Sequence, residues 1–145
     1  MAEITVKVVE WEQYPVIEII RRRVFQDEQK VQAELDLDGK DKMCPQLIAY
    51  LDNAVVGTAR IRYLDEKTAK IERLAVLSSA RGKGIAKKIM VHALEVIASE
   101  NIPEVMLNAQ EYIKGLYLQL GFEQVGTVFQ EAGIPHVKMI KSLKV

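Results

Sequence analysis

The spacing of apolar residues changes repeatedly along this 145-residue chain, and this alternation restricts its possible folds more than any other feature. Residues 4 to 9 alternate polar and apolar side chains, which is the two-residue period of a strand. Residues 14 to 25 repeat their apolar side chains at helical spacing, and the clearest helical period runs from Gly84 to Ser99. A chain that alternates in this way predicts strands and helices that pack in layers.

Between the two helical segments the sequence predicts a three-stranded meander. Strand-like runs at 47–51 and 55–63 flank a short polar turn, and a third run follows at about 69–77. Gly57 interrupts the second run and predicts a bulge there. Residues 31–46 have no periodicity and are rich in acids, so we interpret them as a long acidic connection.

The C-terminal third predicts three more strands and a shorter helix. Pro103 ends the long helix before a strand at 104–108, and the shorter helix ends at Gly121, where a left-handed cap is expected. Final strands at 122–129 and 137–142, joined by the intervening residues, complete the order β-α-β-β-β-α-β-α-β-β. We therefore predict an α/β (α+β) fold, in which a mixed central β-sheet has helices on both faces.

Charge and composition exclude several classes of protein. Lys plus Arg number 20 and Asp plus Glu number 20, so no net field gathers a nucleic acid or an anionic membrane. Hydrophobic residues make up 49% of the chain, and the length predicts a single domain covering residues 1–145. The lone Cys44 cannot form an intramolecular disulfide, and no apolar run approaches the ~20 residues that cross a membrane. We expect a cytoplasmic protein without nucleic-acid or membrane partners.

The segment Ser79–Lys88 joins a predicted strand to the start of the clearest helix, and its composition suits an anion. A helix N-terminus has unpaired N–H groups and a partial positive charge, and glycine lets an anion's oxygens reach those donors. Gly82 and Gly84 provide this access. Four cations with no intervening acid add to the field: Arg81, Lys83, Lys87 and Lys88. We predict a pyrophosphate site.

Three phosphate-binding patterns compete for this segment. A nucleotide P-loop needs Gly-x-x-x-x-Gly-Lys followed by Ser or Thr, but here Ile85 follows Gly84 and no hydroxyl is available for magnesium. A dinucleotide fingerprint needs a third glycine where Lys87 stands, and it opens a βαβ unit rather than following a meander. The third pattern is Arg/Gln-x-x-Gly-x-Gly/Ala, which Arg81, Gly84 and Ala86 satisfy. A charged helix start with a glycine turn and no ligand is the alternative interpretation.

The third pattern resembles the coenzyme A pyrophosphate loop of the GNAT superfamily of acyl-CoA N-acyltransferases. A second segment, Tyr117-Leu118-Gln119-Leu120-Gly121-Phe122, resembles the Tyr-x-x-x-Gly-Phe end of the fourth helix in that superfamily. Residues 21–29, 107–110 and 132–136 are similar to its ElaA-like branch, which includes relatives of the YjcF type. One position departs from that branch, since Gln46 stands where a histidine often precedes the second strand.

The resemblance implies a GNAT-like acyl-CoA N-acyltransferase fold and a transferase activity. The implied reaction moves the acetyl group of acetyl-CoA to a primary amine of a small molecule, by direct attack in a ternary complex. Two alternatives stay open: an acyl-CoA-binding regulatory module with little turnover, and a protein N-acetyltransferase. Acetyl-CoA is the expected cosubstrate, and no metal is expected, since the acids near Gly39 lack the spacing of an EF-hand. Exposed strand edges make a homodimer a reasonable expectation.

The same resemblance assigns candidate site residues. Tyr117 is the candidate acid for the leaving thiolate, because a phenol can supply a proton in the transition state. Glu72 is the leading candidate for the base that deprotonates the amine, with a water relay as the alternative, and the Val76 N–H would polarise the thioester carbonyl. The candidate cofactor-binding residues are Leu74, Val76, Arg81, Gly82, Lys83, Gly84, Ile85, Ala86, Lys87, Asn108 and Gln110. The candidate acceptor-binding residues are Arg21, Glu28, Gln29 and His136.

The zero net charge conceals two windows of opposite sign. Residues 81–88 carry four cations and no acid, whereas residues 26–41 carry six acids against Lys30 and Lys40. We predict that the first window binds the cofactor phosphates and that the second attracts a cationic amine. Arg21 and Glu28 could instead pair with neighbouring side chains, and His136 could be an ordinary hydrogen-bonding residue.

Overall fold

The computed structural model describes residues 2–143, which form one seven-stranded mixed sheet with four α-helices. The strands are β1 Ile4–Val9, β2 Gln46–Leu51, β3 Ala54–Tyr63, β4 Thr68–Val76, β5 Glu104–Gln110, β6 Glu123–Glu131 and β7 Ile134–Ser142. The α-helices are α1 Tyr14–Arg21, α2 Ala33–Asp36, α3 Ile85–Ser99 and α4 Lys114–Gln119. Among the described residues, no helix is both long and apolar enough to cross a membrane. The predicted α/β (α+β) fold with a mixed central sheet is confirmed.

The sheet opens between its two central strands. The strand order is β1-β2-β3-β4-β5-β7-β6, and every neighbouring pair is antiparallel except β4 and β5. The parallel pairing of β4 with β5 joins only residues 68–70 to residues 104–106. Beyond these residues the two strands separate, which leaves the rest of β4 with a free edge inside the sheet.

Successive residues of β4 reach opposite layers of the fold. Ala75 packs against Ile20 of α1, whereas Val76 packs against Ile89 of α3. Gly57 pairs with Val76 in the sheet, and a Cβ atom at Gly57 would come within 3.0 Å of the Ile89 side chain. The glycine therefore permits the close approach of α3 to the sheet, beside a register shift between β2 and β3.

Two helical segments differ from the sequence predictions. The predicted helix continues past α1, but residues 22–28 take the wider π-helical geometry. The predicted acidic connection contains the short helix α2 and a 3-10 turn at residues 41–43. A pattern of apolar residues could not reveal these elements, because side-chain contacts with arginines hold the connection in place.

The predicted connection between the last two strands is a tight hairpin. Ala132 and Gly133 have φ angles of 52° and 75°, which is the left-handed geometry of a two-residue hairpin turn. The strands therefore extend further than predicted, and His136 lies within β7 rather than in a turn. It pairs with Gln110 of β5 on one side and with Phe129 of β6 on the other.

Candidate active site

A cleft of about 580 Å³ occupies the opening between β4 and β5. Ten of the candidate site residues line it: Gln29, Glu72, Leu74, Val76, Arg81, Ala86, Asn108, Gln110, Tyr117 and His136. A smaller cavity of about 280 Å³ shares three of these residues and is also lined by Gly82, Gly84, Ile85 and Lys87. Arg21, Glu28 and Lys83 line neither space. The fold thus brings most of the candidate residues to one continuous depression.

β4 is distorted where the cleft opens. Arg73 and Leu74 together oppose a single residue of β3, which makes a β-bulge. The φ angle of Arg73 is 57°, a left-handed conformation that is uncommon for a residue with a Cβ atom. The bulge begins one residue before the predicted range of residues 74–76, and it turns the following backbone towards the opening.

The free edge of β4 presents backbone groups to the cleft. The Leu77 N–H donates to the Val56 carbonyl of β3, and alternate residues of a strand face the same neighbour. The N–H and C=O of Val76 therefore face away from β3, into the opening. Arg81 Nε donates to the Val76 carbonyl at 3.0 Å, so the glycine loop is tied to this edge.

The smaller cavity lies at the N-terminus of α3. Gly82 and Gly84 both have φ angles of 79°, a region that favours glycine. Gly84 is the N-cap of the 15-residue helix, and no side chain of the described residues caps its first N–H groups. Ile85 is buried with its side chain in the core, so only its backbone is available to a ligand. This geometry suits the phosphate oxygens of an anion.

Tyr117 lies in the wall of the main cleft, with only 5% of its surface exposed. Its ring makes an edge contact with Phe122 at a centroid distance of 6.1 Å. Burial raises the pKa of the Tyr117 phenol, so the hydroxyl keeps its proton over the physiological range. A buried, protonated phenol beside an open strand edge can act as a proton donor.

Two polar bridges cross from the end of the π-helix to the cofactor side of the cleft. Glu28 accepts a bidentate pair from Arg81, with N–O distances of 2.5 and 2.7 Å. The amides of Gln29 and Gln110 bond reciprocally at 3.1 and 3.0 Å. Both predicted acceptor residues therefore contact predicted cofactor residues, so the segment that carries them is mechanically linked to the glycine loop.

Glu72 belongs to a buried cluster of charges beside the cleft. Its carboxylate accepts hydrogen bonds from Nε and Nη2 of Arg60 and, at 2.8 Å, from Arg62 Nε. Burial alone would raise the pKa of Glu72, but these hydrogen bonds outweigh it and the pKa is lowered. A carboxylate held by two guanidinium groups is a weak base, so these contacts do not support the predicted proton-accepting role.

The Arg21 guanidinium is also hydrogen-bonded to other residues of the protein. Its five N–H donors all have partners, in the Asp36 carboxylate and carbonyl, the Asp41 carboxylate and the Tyr14 hydroxyl. The side chain is 1% exposed and lies outside the cleft, which gives it a structural contact rather than the predicted contact with an acceptor. Asp36, Asp38 and Asp41 of the acidic window at 26–41 are all paired with arginines, which does not support the predicted attraction for a cationic amine.

His136 is buried at the opposite wall of the cleft. Its Nδ1 lies 2.6 Å from the Ile134 carbonyl, so Nδ1 carries a proton and donates it to that oxygen. The other nitrogen, Nε2, lies 3.5 Å from the Glu131 carboxylate. The ring also stacks on Phe129 at a centroid distance of 6.1 Å. These contacts fix the orientation of the imidazole and leave Nε2 as its acceptor atom when the ring is neutral.

Comparison with known proteins identifies the family. A family model described as an acetyltransferase (GNAT) domain matches residues 17–143. The chain belongs to the GNAT acetyltransferase family. YyaT of Bacillus subtilis is 35% identical over 127 residues, covering 86% of this chain and 85% of YyaT. YjcF of the same organism, named as an N-acetyltransferase, is 32% identical over 123 residues, covering 84% of this chain and 87% of YjcF.

A solved structure places this GNAT chain beside a further relative. The crystal structure of Escherichia coli ElaA matches with a TM-score of 0.83 at 26% identity, covering 97% of this chain and 99% of ElaA. Together with YjcF, this match confirms the resemblance to the ElaA-like and YjcF-like branch. The predicted GNAT-like fold is confirmed as well.

Three residues that shape this GNAT cleft were not predicted from the sequence. Arg60 is completely buried and bonds Asp38, Asp41 and Glu72. Arg73 stands at the bulge, and Glu131 lies beside His136. The signal for Arg60 was present, because arginines at alternate positions of an otherwise apolar strand require buried partners.

The buried carboxylates predict a stability that falls in acid. Burial would raise the pKa of Asp41 and of Glu72, but hydrogen bonds from Arg21, Arg60 and Arg62 lower both. Their stabilising effect is therefore present above the unfolded pKa of about 4 and is lost as pH falls towards the lower folded pKa. We expect urea denaturation to give a free energy of unfolding roughly 2 kcal/mol smaller at pH 3 than at pH 7. An equal value at both pH values would contradict this.

Proposed function

We propose that this GNAT protein transfers the acetyl group of acetyl-CoA to a primary amine of a small molecule, by direct attack in a ternary complex. The observation that carries the proposal is the free edge of β4, which lies between the glycine loop before α3 and the buried Tyr117. An extended cosubstrate bound along this edge would have phosphate-binding donors at one end and a proton donor near the other. Acyl-CoA has this combination of groups.

The residues that line the two cavities fit coenzyme A. The backbone of Leu74 and Val76 would pair with the pantetheine arm as an added strand. The N–H groups and cations of the loop would bind the pyrophosphate. The proposed loop residues are Arg81, Gly82, Lys83, Gly84, Ile85, Ala86 and Lys87. Asn108 and Gln110 would contact the arm from β5, because both line the facing wall.

The proposed chemistry needs three groups of the protein. Attack of the amine forms the C–N bond and breaks the C–S bond, and charge develops on the carbonyl oxygen in between. The Val76 N–H would stabilise that charge, because it faces the opening and would be shielded from water once the cleft is filled. The Tyr117 hydroxyl would give its proton to the departing thiolate. The third group must take a proton from the amine.

We assign proton removal from the amine to His136 rather than to Glu72. The Nδ1–H bond to the Ile134 carbonyl leaves Nε2 as a proton acceptor, and His136 lines the cleft. Glu131 at 3.5 Å would stabilise the imidazolium that results. Glu72, in contrast, is engaged by Arg60 and Arg62. The orientation of His136 supports this role, which a His136→Gln variant tests: kcat should fall roughly a hundredfold while the Kd for acetyl-CoA stays close to the wild-type value.

The Glu28–Arg81 pair predicts a variant that binds the cosubstrate more tightly. Glu28 competes with phosphate for Arg81, and an exposed pair of this kind is worth about 0.2–1 kcal/mol. Replacing Glu28 with glutamine removes the competing charge, so we expect the Kd for coenzyme A to fall roughly two- to fivefold in calorimetric titration.

A second acidic residue provides the matched control for this prediction. Glu34 is exposed on α2 and lies in the same acidic window, so Glu34→Gln removes the same charge without touching Arg81. Its Kd should stay close to the wild-type value. If Glu34→Gln tightens binding as much as Glu28→Gln, or if neither does, the direct competition is absent.

Amine-stimulated thiol release tests the proposed function. The protein is mixed with acetyl-CoA and a panel of small primary amines while free thiol is followed, and the melting temperature is measured with and without coenzyme A. A rise in melting temperature together with stimulated release supports the enzyme. Binding without stimulated release favours the regulatory module, and release only with a peptide N-terminus or lysine favours a protein acetyltransferase. No binding at all would rule out all three.

A further inference from the structure

One side of the cleft has a surplus of positive charge. Four cations surround the single carboxylate of Glu72. Arg60 contacts it directly, Arg62 lies 2.7 Å away, Lys70 lies 3.5 Å away and Arg73 lies 3.9 Å away. Arg62 and Lys70 are cross-strand partners, so their side chains share one face of the sheet with Glu72.

The surplus remains when the whole cluster is counted. Adding Arg21 gives five cations, and adding the three aspartates at 36, 38 and 41 gives four carboxylates, which leaves one positive charge uncompensated. The cations at the edge of the cluster keep part of their side chains exposed, 27% for Arg62, 19% for Lys70 and 23% for Arg73, so an anion in the cleft can reach them. Burial and the nearby Arg60 both lower the pKa of Arg73, as expected for a cation among other cations. An anion bound at this place would balance the cluster.

Three of these cations line the cleft and have N–H groups to offer. Within residues 2–143, the Lys70 ammonium makes no hydrogen bond, and its nearest carboxylate oxygen is 3.5 Å away. Arg73 uses Nε and Nη2 on the carbonyls of α2, and Nη2 also contacts Asp38 at 3.4 Å. Among the described residues, the nearest acid to its Nη1 is Glu72 at 3.9 Å. Arg62 bonds Glu72 through Nε and is partly exposed. These donors can bind an oxyanion bidentately or jointly.

The facing wall carries groups of opposite chemistry. Glu131 has about half of its side chain exposed and lies beside His136, which is the proposed proton acceptor for the amine. An acceptor with an anionic group at Lys70 and an amine near His136 would meet complementary groups on both walls of the cleft. A simple alkylamine would leave the cationic wall without a partner.

We propose that the acceptor carries an oxyanion, a carboxylate or a phosphate, in addition to its amine, and that Lys70, Arg62 and Arg73 bind this group. The proposal rests on the acetyltransferase function proposed above and specifies its substrate class. It makes Lys70 the most direct test position, because its side chain contributes no hydrogen bond to the described fold, whereas Arg73 also holds α2.

Matched amines measure the contribution of the oxyanion. The pairs are 4-aminobutyrate with butylamine, and 2-aminoethyl phosphate with ethanolamine, each assayed with acetyl-CoA by thiol release. We expect the member that carries the oxyanion in at least one pair to have a kcat/KM roughly tenfold or more above the partner that lacks it, and Lys70→Gln to lower that ratio roughly tenfold. The control is Lys67→Gln, which removes an exposed charge in the turn before β4 and should keep the wild-type ratio.

The outcomes separate this inference from the proposed function. Equal kcat/KM values within both pairs overturn the oxyanion site while leaving acetyl transfer intact, as does a ratio that survives Lys70→Gln or falls equally in Lys67→Gln. If none of the amines stimulates thiol release, the proposed function itself is overturned. A titration independent of turnover covers that case, since the protein with coenzyme A should bind N-acetyl-4-aminobutyrate roughly tenfold more tightly than Lys70→Gln does. Equal affinities overturn the site.

Discussion

Replacing Tyr117 with phenylalanine is expected to lower kcat about a hundredfold, with little change in the Kd for acetyl-CoA. The substitution removes only the hydroxyl, and the ring keeps its contact with Phe122. Without the phenol, the thiolate must leave without a proton from the protein or take one from water, which raises the barrier of that step. Steady-state thiol release measures kcat, and calorimetric titration with acetyl-CoA in the absence of amine measures the Kd.

Tyr112 provides a matched control for this prediction. It also lines the cleft, but 73% of its surface is exposed, so its hydroxyl is in contact with water. Tyr112→Phe makes the same chemical change and should keep kcat close to the wild-type value. A fully active Tyr117→Phe protein would contradict the role of Tyr117 as proton donor. An equal loss of kcat in both variants would indicate a general disturbance of the cleft.

Replacing Arg60 with methionine is expected to destabilise the protein by about 3–5 kcal/mol. Arg60 is completely buried, and it bonds the carboxylates of Asp38, Asp41 and Glu72. Removing one partner from such a group leaves buried charges uncompensated, which costs far more than the loss of an exposed ion pair. Chemical denaturation at pH 7 measures the change in the free energy of unfolding.

Arg62 gives the comparison within the same strand. It bonds the same Glu72 carboxylate, but 27% of its side chain is exposed. Arg62→Met should therefore cost about 1 kcal/mol or less. If the two variants lose similar stability, burial does not distinguish these arginines, and the carboxylates of the cluster are more hydrated than the structure indicates.

The order of elements could be predicted from the sequence because it depends on local periodicity. The strand and helix periods gave all seven strands and the long helix α3, and Gly121 has the left-handed φ of 90° expected at a helix cap. The last hairpin was harder to predict, because its turn residues are Ala132 and Gly133 rather than the Asn-Gly pair typical of such a turn. A left-handed alanine becomes acceptable only when two paired strands require it.

The candidate site divides in the same way between local and distant interactions. The glycine turn at the start of α3 and the position of Tyr117 on α4 could be predicted because each depends on neighbours in sequence. The partners of Arg21 and Glu28 could not, since Asp36 lies 15 residues from Arg21 and Arg81 lies 53 residues from Glu28. The surroundings of a charged side chain, which decide whether it serves the fold or a ligand, are set by the register of the sheet and by loop packing.

The most direct test of acetyl transfer to an amine follows the acetyl group itself. The protein is incubated with acetyl-CoA labelled in the acetyl carbons, together with 4-aminobutyrate and butylamine, and products are separated and identified by mass spectrometry. We expect labelled N-acetyl product from an added amine, in an amount equal to the thiol released, and loss of both in Tyr117→Phe. Thiol release without any labelled amide, or label found only in acetate, would contradict transfer to an amine.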